Sequence, residues 1–407
     1  MVRTQDGPRL LHLRERPQSQ SRGGNRITQF DLTDDQRAIQ QLAAEFARRE
    51  IAPHIAEWDR TRTFPRALYT KMTEAGLMGI VIPEEYGGVG ADYVSYALAV
   101  EQIAKVDAGA AVTLSVHAMI CSAILRLGTD AQKKKYLPML ATGDAIAAFA
   151  LTEPEAGSDA AALRTVARRE GDDFVLNGRK QWCSNGGQSA VIMGMFRTGG
   201  EGVRGISAFL IDHPSNGMVV ENLTNKLGIH TSNTCDVVFD DVRVSAGALL
   251  GAEGEGLRSA LSTLTSGRIG IASQACGILG ACLDASVAFA KDREAFGKPI
   301  AAFEAISFKI ARMAADLNAA QLATYRAAAL CDAGKPFAVE ASMAKLFAST
   351  KAREHASEAV QIHGGYGFMS DFPVERYYRD AKITEIYEGT SEIQQMIIAR
   401  ALLGRLD

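Results

Sequence analysis

The chain has 407 residues, 47% hydrophobic and 22% charged, ordinary globular values that exclude a disordered, collagen-like or low-complexity protein. Its 44 basic and 47 acidic residues leave a formal net charge of −3, which argues against nucleic acid as the main partner because phosphate-backbone binding needs clustered positive charge. At roughly 150 residues per domain, the length predicts two or three structural units.

Residues 1–27 differ from the rest. They carry Arg3, Arg9, Arg14, Arg16, Arg22 and Arg26 against Asp6 and Glu15, without the apolar stretch of a secretory signal. A disordered arm, or a start placed too early in a bacterial cytoplasmic protein, is the preferred reading. A transit peptide would place the protein in the mitochondrial matrix instead. No uninterrupted apolar run approaches the ~18 residues of a membrane span. The six cysteines are scattered and form no C-x-x-C pair, so neither a zinc site nor a disulfide framework is expected, and buried thiols in a reducing compartment fit best. No metal ligand set is predicted.

From Thr33 the texture is helical. Thr33 and Gln36 form a capping box, and Ile39, Leu42, Ala43, Phe46 and Ile51 recur at helical spacing. Further helices are expected near 66–76, 92–106, 108–127 and 130–141, so residues 28–145 read as a helical unit. At about 146 the pattern becomes short runs rich in Val, Ile and Phe, near 166–169, 173–176, 190–196, 206–212 and 235–244. Asn177-Gly178 reads as a hairpin turn between two such runs. Residues 146–250 are therefore an expected antiparallel β-barrel or sandwich. From 251 to 407 the chain is helical again, with an Ala-rich helix over 257–290 too apolar all round for a surface helix. Helices near 303–332, 336–363, 373–381 and 390–404 complete a bundle. No βαβ series and no strand-linked G-x-G-x-x-G is present, which excludes a Rossmann arrangement.

Five clusters carry candidate chemistry. In Ile386-Tyr387-Glu388-Gly389-Thr390-Ser391-Glu392, a carboxylate stands at a glycine turn before a helix that Thr390 caps. It can project into a cleft, although an exposed turn glutamate gives the same spacing. Leu151-Thr152-Glu153-Pro154-Glu155-Ala156-Gly157-Ser158 offers hydroxyls for a heterocycle or phosphates, or is a capped linker. Gln181-Trp182-Cys183-Ser184-Asn185-Gly186-Gly187 sets a flat apolar ring beside hydroxyl and amide groups. Arg293-Glu294-Ala295-Phe296-Gly297-Lys298 closes the long helix with cations. Gln361-Ile362-His363-Gly364-Gly365 lets backbone amides approach a ligand, or is a helix C-cap.

Taken together and in this order, these segments resemble the acyl-CoA dehydrogenase family over residues 28–405, most closely its short-chain, butyryl-CoA type. The stretches 267–274, Tyr378-Arg379-Asp380-Ala381 and 386–394 carry much of that likeness. The resemblance implies an α+β fold with a helical N-terminal domain, a central β domain and a C-terminal helical bundle. It also implies FAD, a homotetramer and fatty acid β-oxidation, with electrons passed to electron-transferring flavoprotein. Glu388 would be the base that removes the α-proton of an acyl-CoA. Its backbone N–H and a flavin hydroxyl would bind the enolate oxygen. Gly267, where one subfamily carries its base, cannot supply one. Phe149, Leu151, Thr152, Ser158, Trp182 and Ser184 would hold the flavin, and Thr390 and Glu392 its adenosine diphosphate part. Arg293, Phe296, Gln361 and Gly365 would reach the FAD of a neighbouring subunit. Ser158, Thr265, Arg268, Tyr387 and Gly389 would contact substrate. Three departures stand out: Glu304 in place of Gln, with pairing to Arg293 as relief, Thr265 in place of Asp, and His230 in place of Arg. Alternatives on the same fold are a short branched-chain or carrier-protein thioester dehydrogenase and an acyl-CoA oxidase.

Overall fold

The structure, a computed structural model, describes residues 31–143 and 145–404. The Arg-rich segment 1–27 lies outside the described residues.

Six helices come first: α1 (Asp34–Phe46), α2 (Ile55–Thr61), α3 (Arg66–Glu74), α4 (Tyr93–Ala104), α5 (Ala108–Leu127) and α6 (Asp130–Ala141). The Thr33 hydroxyl accepts the Gln36 amide at 3.2 Å while the Gln36 side chain accepts the Thr33 amide at 3.0 Å, so the expected capping box forms. Thr129 and Gln132 build a second one before α6. α1 continues through a π-turn, Ala47–Ile51, before α2 restarts beyond Pro53. α4 and α5 are buried nearly all round, which suits two helices enclosed by others.

Seven strands follow: β1 (Ala147–Ala150), β2 (Val166–Glu170), β3 (Asp173–Ser184), β4 (Val191–Arg197), β5 (Ile206–Asp212), β6 (Met218–Asn222) and β7 (Thr234–Ser245). They form one sheet in the order β1-β4-β2-β3-β7-β6, with β5 also on β4. Most pairs are antiparallel, but β1 runs parallel to β4, with Ala147 opposite Val191. Asn177-Gly178 is not a turn. It lies inside β3, where the register against β7 shifts, and Asn177 exchanges hydrogen bonds with Asp241 at 2.9 and 3.0 Å. The glycine is required for another reason: a Cβ there would lie 2.5 Å from the Thr165 methyl group. The chain reverses instead between β2 and β3 at Gly171, whose φ is +62°.

The C-terminal part holds α7 (Gly256–Asp292), a small hairpin of β8 (Glu294–Ala295) and β9 (Lys298–Pro299), then α8 (Glu304–Asp332), α9 (Ala338–His363), α10 (Val374–Ile383) and α11 (Ser391–Leu403). By length and mean hydropathy, α5 and α7 could each cross a membrane, although neither is an uninterrupted apolar run. Their apolar windows are 89% and 72% buried inside the protein, which makes them core helices here. One hydrophobic core runs through all three parts, joining Met119 of α5, Met193 of β4, Leu210 of β5, Ala272 of α7 and Ala348 of α9. Close approach depends on small residues. At Gly270 of α7 a Cβ would lie 2.1 Å from the Ser115 hydroxyl of α5. All six cysteines are free, five of them buried, so they act as small core residues.

Candidate active site

Glu388 lies in the turn between α10 and α11. The turn is tightly determined: the Tyr387 amide donates to Ile383 O at 3.2 Å, the Ser391 amide donates to Glu385 O at 3.0 Å, and the Thr390 hydroxyl accepts the Ile393 amide at 3.4 Å. Glu388 adopts φ +55° and Gly389 φ +88°. A left-handed glutamate is strained by about 1–3 kcal/mol, and such residues gather at functional sites. The carboxyl points into the protein. Its Oε2 is buried and has no hydrogen-bond partner among the described residues. Gly267 makes the room, because a Cβ there would lie 2.1 Å from Oε2 and 2.7 Å from the Met119 sulfur. Burial pushes the Glu388 carboxyl up to about 7, even though Arg268 and Lys345 pull it down. A carboxyl with one desolvated, unpaired oxygen, pushed up toward neutrality, is equipped to take and release a proton.

The walls come from α5, α7 and α9. Arg268 is only 4% exposed, and its Nε has no partner among the described residues. The Tyr387 hydroxyl donates to the Gln274 side chain, whose amide donates to Ala108 O at 2.7 Å. This chain pins the turn to the start of α5. Thr265 lies nearby on α7, but its hydroxyl donates to Leu261 O in its own helix at 2.9 Å. Glu392 is exposed in the first turn of α11.

A second group sits on the sheet. Phe149 is half-buried on β1, opposite Met193 of β4. The Leu151 carbonyl accepts Lys180 Nζ at 3.1 Å and the Thr152 carbonyl accepts the Gln181 amide at 2.8 Å, which fastens the 151–158 loop to β3. Ser158 is exposed on that loop. Where the β3–β7 register slips, Trp182 takes φ +56° and leaves its indole 61% exposed, with half-buried Ser184 two residues on. Asn185 donates to Thr113 O and Ala147 O, each at 3.1 Å, so this turn is tied to α5 and β1. Thr113 and Met119 lie six residues apart on α5, about 9 Å along the axis at ~1.5 Å per residue. One stretch of α5 therefore touches both the Trp182–Asn185 turn, at Thr113, and the space beside the Glu388 carboxyl, at Met119.

A third group is remote. Arg293, Gly365, His363 and Tyr366 line a cleft of about 470 Å³, and Gln361 is exposed at its edge. Phe296 is 95% exposed at the tip of the β8–β9 hairpin, where it and Gly297 take φ +53° and +74°, as a two-residue primed turn requires. Arg293 follows α7, and 26 residues of helix from Gly267 amount to ~39 Å. Within one subunit these residues do not join Glu388. The expected Glu304–Arg293 pairing is also absent among the described residues. Arg293 instead lies over the Tyr366 ring at 5.6 Å. His230 pairs with Asp59 of the helical part, Nδ1 to Oδ1 at 3.0 Å.

Sequence reasoning missed Lys345 and Gln394. Lys345 is fully buried, and its Nζ donates to Gly389 O at 2.8 Å. Gln394 donates to the same carbonyl at 2.8 Å and reaches Glu388 O at 3.3 Å. A signal was available for the lysine, since it shares a helical face with Ala341, Ala348 and Ala352, all buried.

A helical part, a β part and a helical bundle that meet around a desolvated carboxyl and an exposed indole define an enzyme scaffold suited to a planar cofactor. Three domain families match along the chain: acyl-CoA dehydrogenase N-terminal domain over residues 33–144, middle domain over 148–242 and C-terminal domain over 254–403. The chain is 48% identical over 375 residues to an acyl-CoA dehydrogenase of Bacillus subtilis, covering 92% of this chain and 99% of that one. Butyryl-CoA dehydrogenase from Megasphaera elsdenii superposes with a TM-score of 0.91 at 43% identity, covering 92% of this chain and all of that one. A chain from a structure described as the electron transferring flavoprotein of Acidaminococcus fermentans also superposes at 0.91, with 46% identity, covering 93% and 100%. The protein belongs to the acyl-CoA dehydrogenase family, whose members are FAD-dependent oxidoreductases.

Proposed function

We propose that this acyl-CoA dehydrogenase acts on short-chain acyl-CoA thioesters and passes the electrons to an electron-transferring flavoprotein. One observation carries the reading: the Glu388 carboxyl is buried, unpaired at Oε2 and raised to about 7. The net reaction breaks a C–H bond at the α carbon and another at the β carbon, and forms the 2,3 double bond. Glu388 accepts the α-proton. Away from water its carboxylate is a stronger base than an ordinary one, which narrows the gap to a weakly acidic thioester α-proton. The Glu388 amide N–H, for which no acceptor exists among the described residues, would donate to the thioester oxygen as charge develops there. Arg268, Thr265, Tyr387, Gly389 and Ser158 would position the substrate.

The residues fit FAD. An exposed indole face at Trp182 beside the Ser184 hydroxyl suits a flat heterocycle, and Phe149, Leu151, Thr152 and Ser158 border it on the adjoining strand and loop. Bound there, the cofactor supplies the acceptor for the β-hydrogen as hydride. Thr390 and Glu392 would hold its adenosine diphosphate part. The ~39 Å of helix between Gly267 and Arg293 supports a further step: Arg293, Phe296, Gln361 and Gly365 serve the cofactor of a neighbouring subunit in a homotetramer. The butyryl-CoA relative supports the short chain, and the likeness to the Acidaminococcus chain supports the flavoprotein partner.

The test is anaerobic bleaching of the purified yellow protein with straight and branched acyl-CoA thioesters. Rapid bleaching by butyryl-CoA is expected. Absence of bound FAD, or faster bleaching by long-chain substrates, overturns the reading. Peroxide formed in air on substrate addition would mark an oxidase instead.

A further inference from the structure

Lys345 lies on α9 among Ala341, Ser342, Ala344, Ala348 and Ser349, all buried like itself. A charged ammonium in such surroundings normally has a carboxylate partner. Among the described residues Lys345 has none within ion-pair distance, and its Nζ donates to a backbone carbonyl, Gly389 O. That carbonyl is already held by Gln394, which is neutral and also reaches Glu388 O. Anchoring the turn therefore does not explain why the residue on α9 is charged.

We propose that Lys345 is a positioning residue for the Glu388 base: from α9, its buried ammonium fixes the Gly389 carbonyl and provides, with Arg268, the positive field that keeps the Glu388 carboxyl available as an anion. The inference rests on Glu388 being the base. The surroundings define the sign. Glu388 faces Arg268 from α7 and Lys345 from α9. Lys345 in turn is held down to about 8 by burial and is raised by Glu388, with Arg268, Glu385 of the preceding turn and Glu392 of α11 as weaker neighbours. Tyr96 of α4 and Tyr387 complete the titratable groups that feel Glu388. Burial drives Glu388 toward the neutral acid and the two cations oppose it. Loss of one cation moves its protonation to higher pH and leaves less base at neutrality.

The experiment compares the flavin-loaded parent with Lys345→Met, Lys345→Gln and Lys345→Arg. Lys345→Gln keeps a donor for Gly389 O without charge, so it stays informative if Lys345→Met folds poorly. The rate of anaerobic bleaching by butyryl-CoA is followed from pH 5.5 to 9. In parallel, the infrared band of the protonated Glu388 carboxyl, assigned by its loss in Glu388→Gln, is titrated without substrate. Both neutral variants are expected to move the acidic limb and the infrared midpoint upward by about 1 pH unit. That corresponds to an about fivefold slower reaction at pH 7 and to rates approaching the parent at pH 9. Lys345→Arg is expected to restore the limb. Slower bleaching at every pH with an unmoved limb and midpoint would reduce Lys345 to a structural anchor and overturn the proposal. Full activity in Glu388→Gln would instead overturn the assignment of the base.

Discussion

Glu153, buried in the β part, and Glu388, half-buried in the turn before α11, carry carboxyls that are opposites. Glu153 is surrounded by donors: the Arg164 amide at 2.6 Å, the Thr165 amide at 3.0 Å, the Thr165 hydroxyl at 2.6 Å and Lys180 Nζ at 2.7 Å. Burial pushes Glu153 upward, but these partners outweigh it and hold the carboxyl below its usual range. Glu388 is half-buried as a residue, but its Oε2 is shut away from solvent with no donor among the described residues, so desolvation wins and the carboxyl rises to about 7. The supply of hydrogen-bond donors around the desolvated oxygens separates a structural clamp from a proton acceptor.

The largest expected effect breaks the comparison at its chemical end. Glu388→Gln should retain FAD and lower the rate of anaerobic bleaching by ~10²–10⁴, the range for loss of a general base, whereas Glu153→Gln should show no such selective loss. At the structural end, Glu153→Ala leaves Lys180 buried and unpaired, and should cost about 3–5 kcal/mol in chemical denaturation. Gly267→Ala sharpens the role of the space beside Oε2. Its Cβ would displace the carboxyl or Met119, and a misplaced base should slow bleaching by up to ~10² with little change in FAD content. Arg293→Ala tests whether the remote cleft serves a cofactor, with FAD affinity expected to weaken about tenfold, or ~1.4 kcal/mol, in a dialysis titration.

A last effect is a stability difference with a defined sign. The Glu388 carboxyl binds its proton more tightly folded than unfolded, so the folded state is penalised progressively from about pH 4.5 to about 7, and fully above that. Glu388→Gln lacks this penalty. It should be more stable than the parent at pH 8, with the difference closing toward pH 4.5, as read by denaturation at the two pH values.

Much of the fold was legible from particular residues. The Thr33 capping box, the apolar face of α1, the bounds of α8 and α9, and the all-round apolarity of α7 each follow from local preference. Asn177-Gly178 misled, because the same dipeptide that favours a hairpin also suits a register slip inside a strand. What requires the glycine inside the strand is Thr165, just before β2, a contact invisible in the local sequence. β1 was hidden because Ala147–Ala150 lacks the branched and aromatic residues that mark strands, and its pairing with β4 is parallel and long-range.

At the site, Glu388 was recognisable by its turn and by the order of the surrounding clusters. Sequence alone determined the helix–sheet–helix order, the identity of the carboxylate and the indole, and the small residue at 267, because these are properties of chain order and side-chain type. Tertiary structure decided the rest. It stripped Oε2 of donors, set Lys345 and Gln394 beneath the Gly389 carbonyl, and tied the Trp182 turn to α5 and β1. It also placed Arg293 and Gly365 at the far end of α7. The physical reason is that desolvation and Coulomb fields depend on which groups are adjacent in space, and a linear order of residues carries that information only once the core has packed.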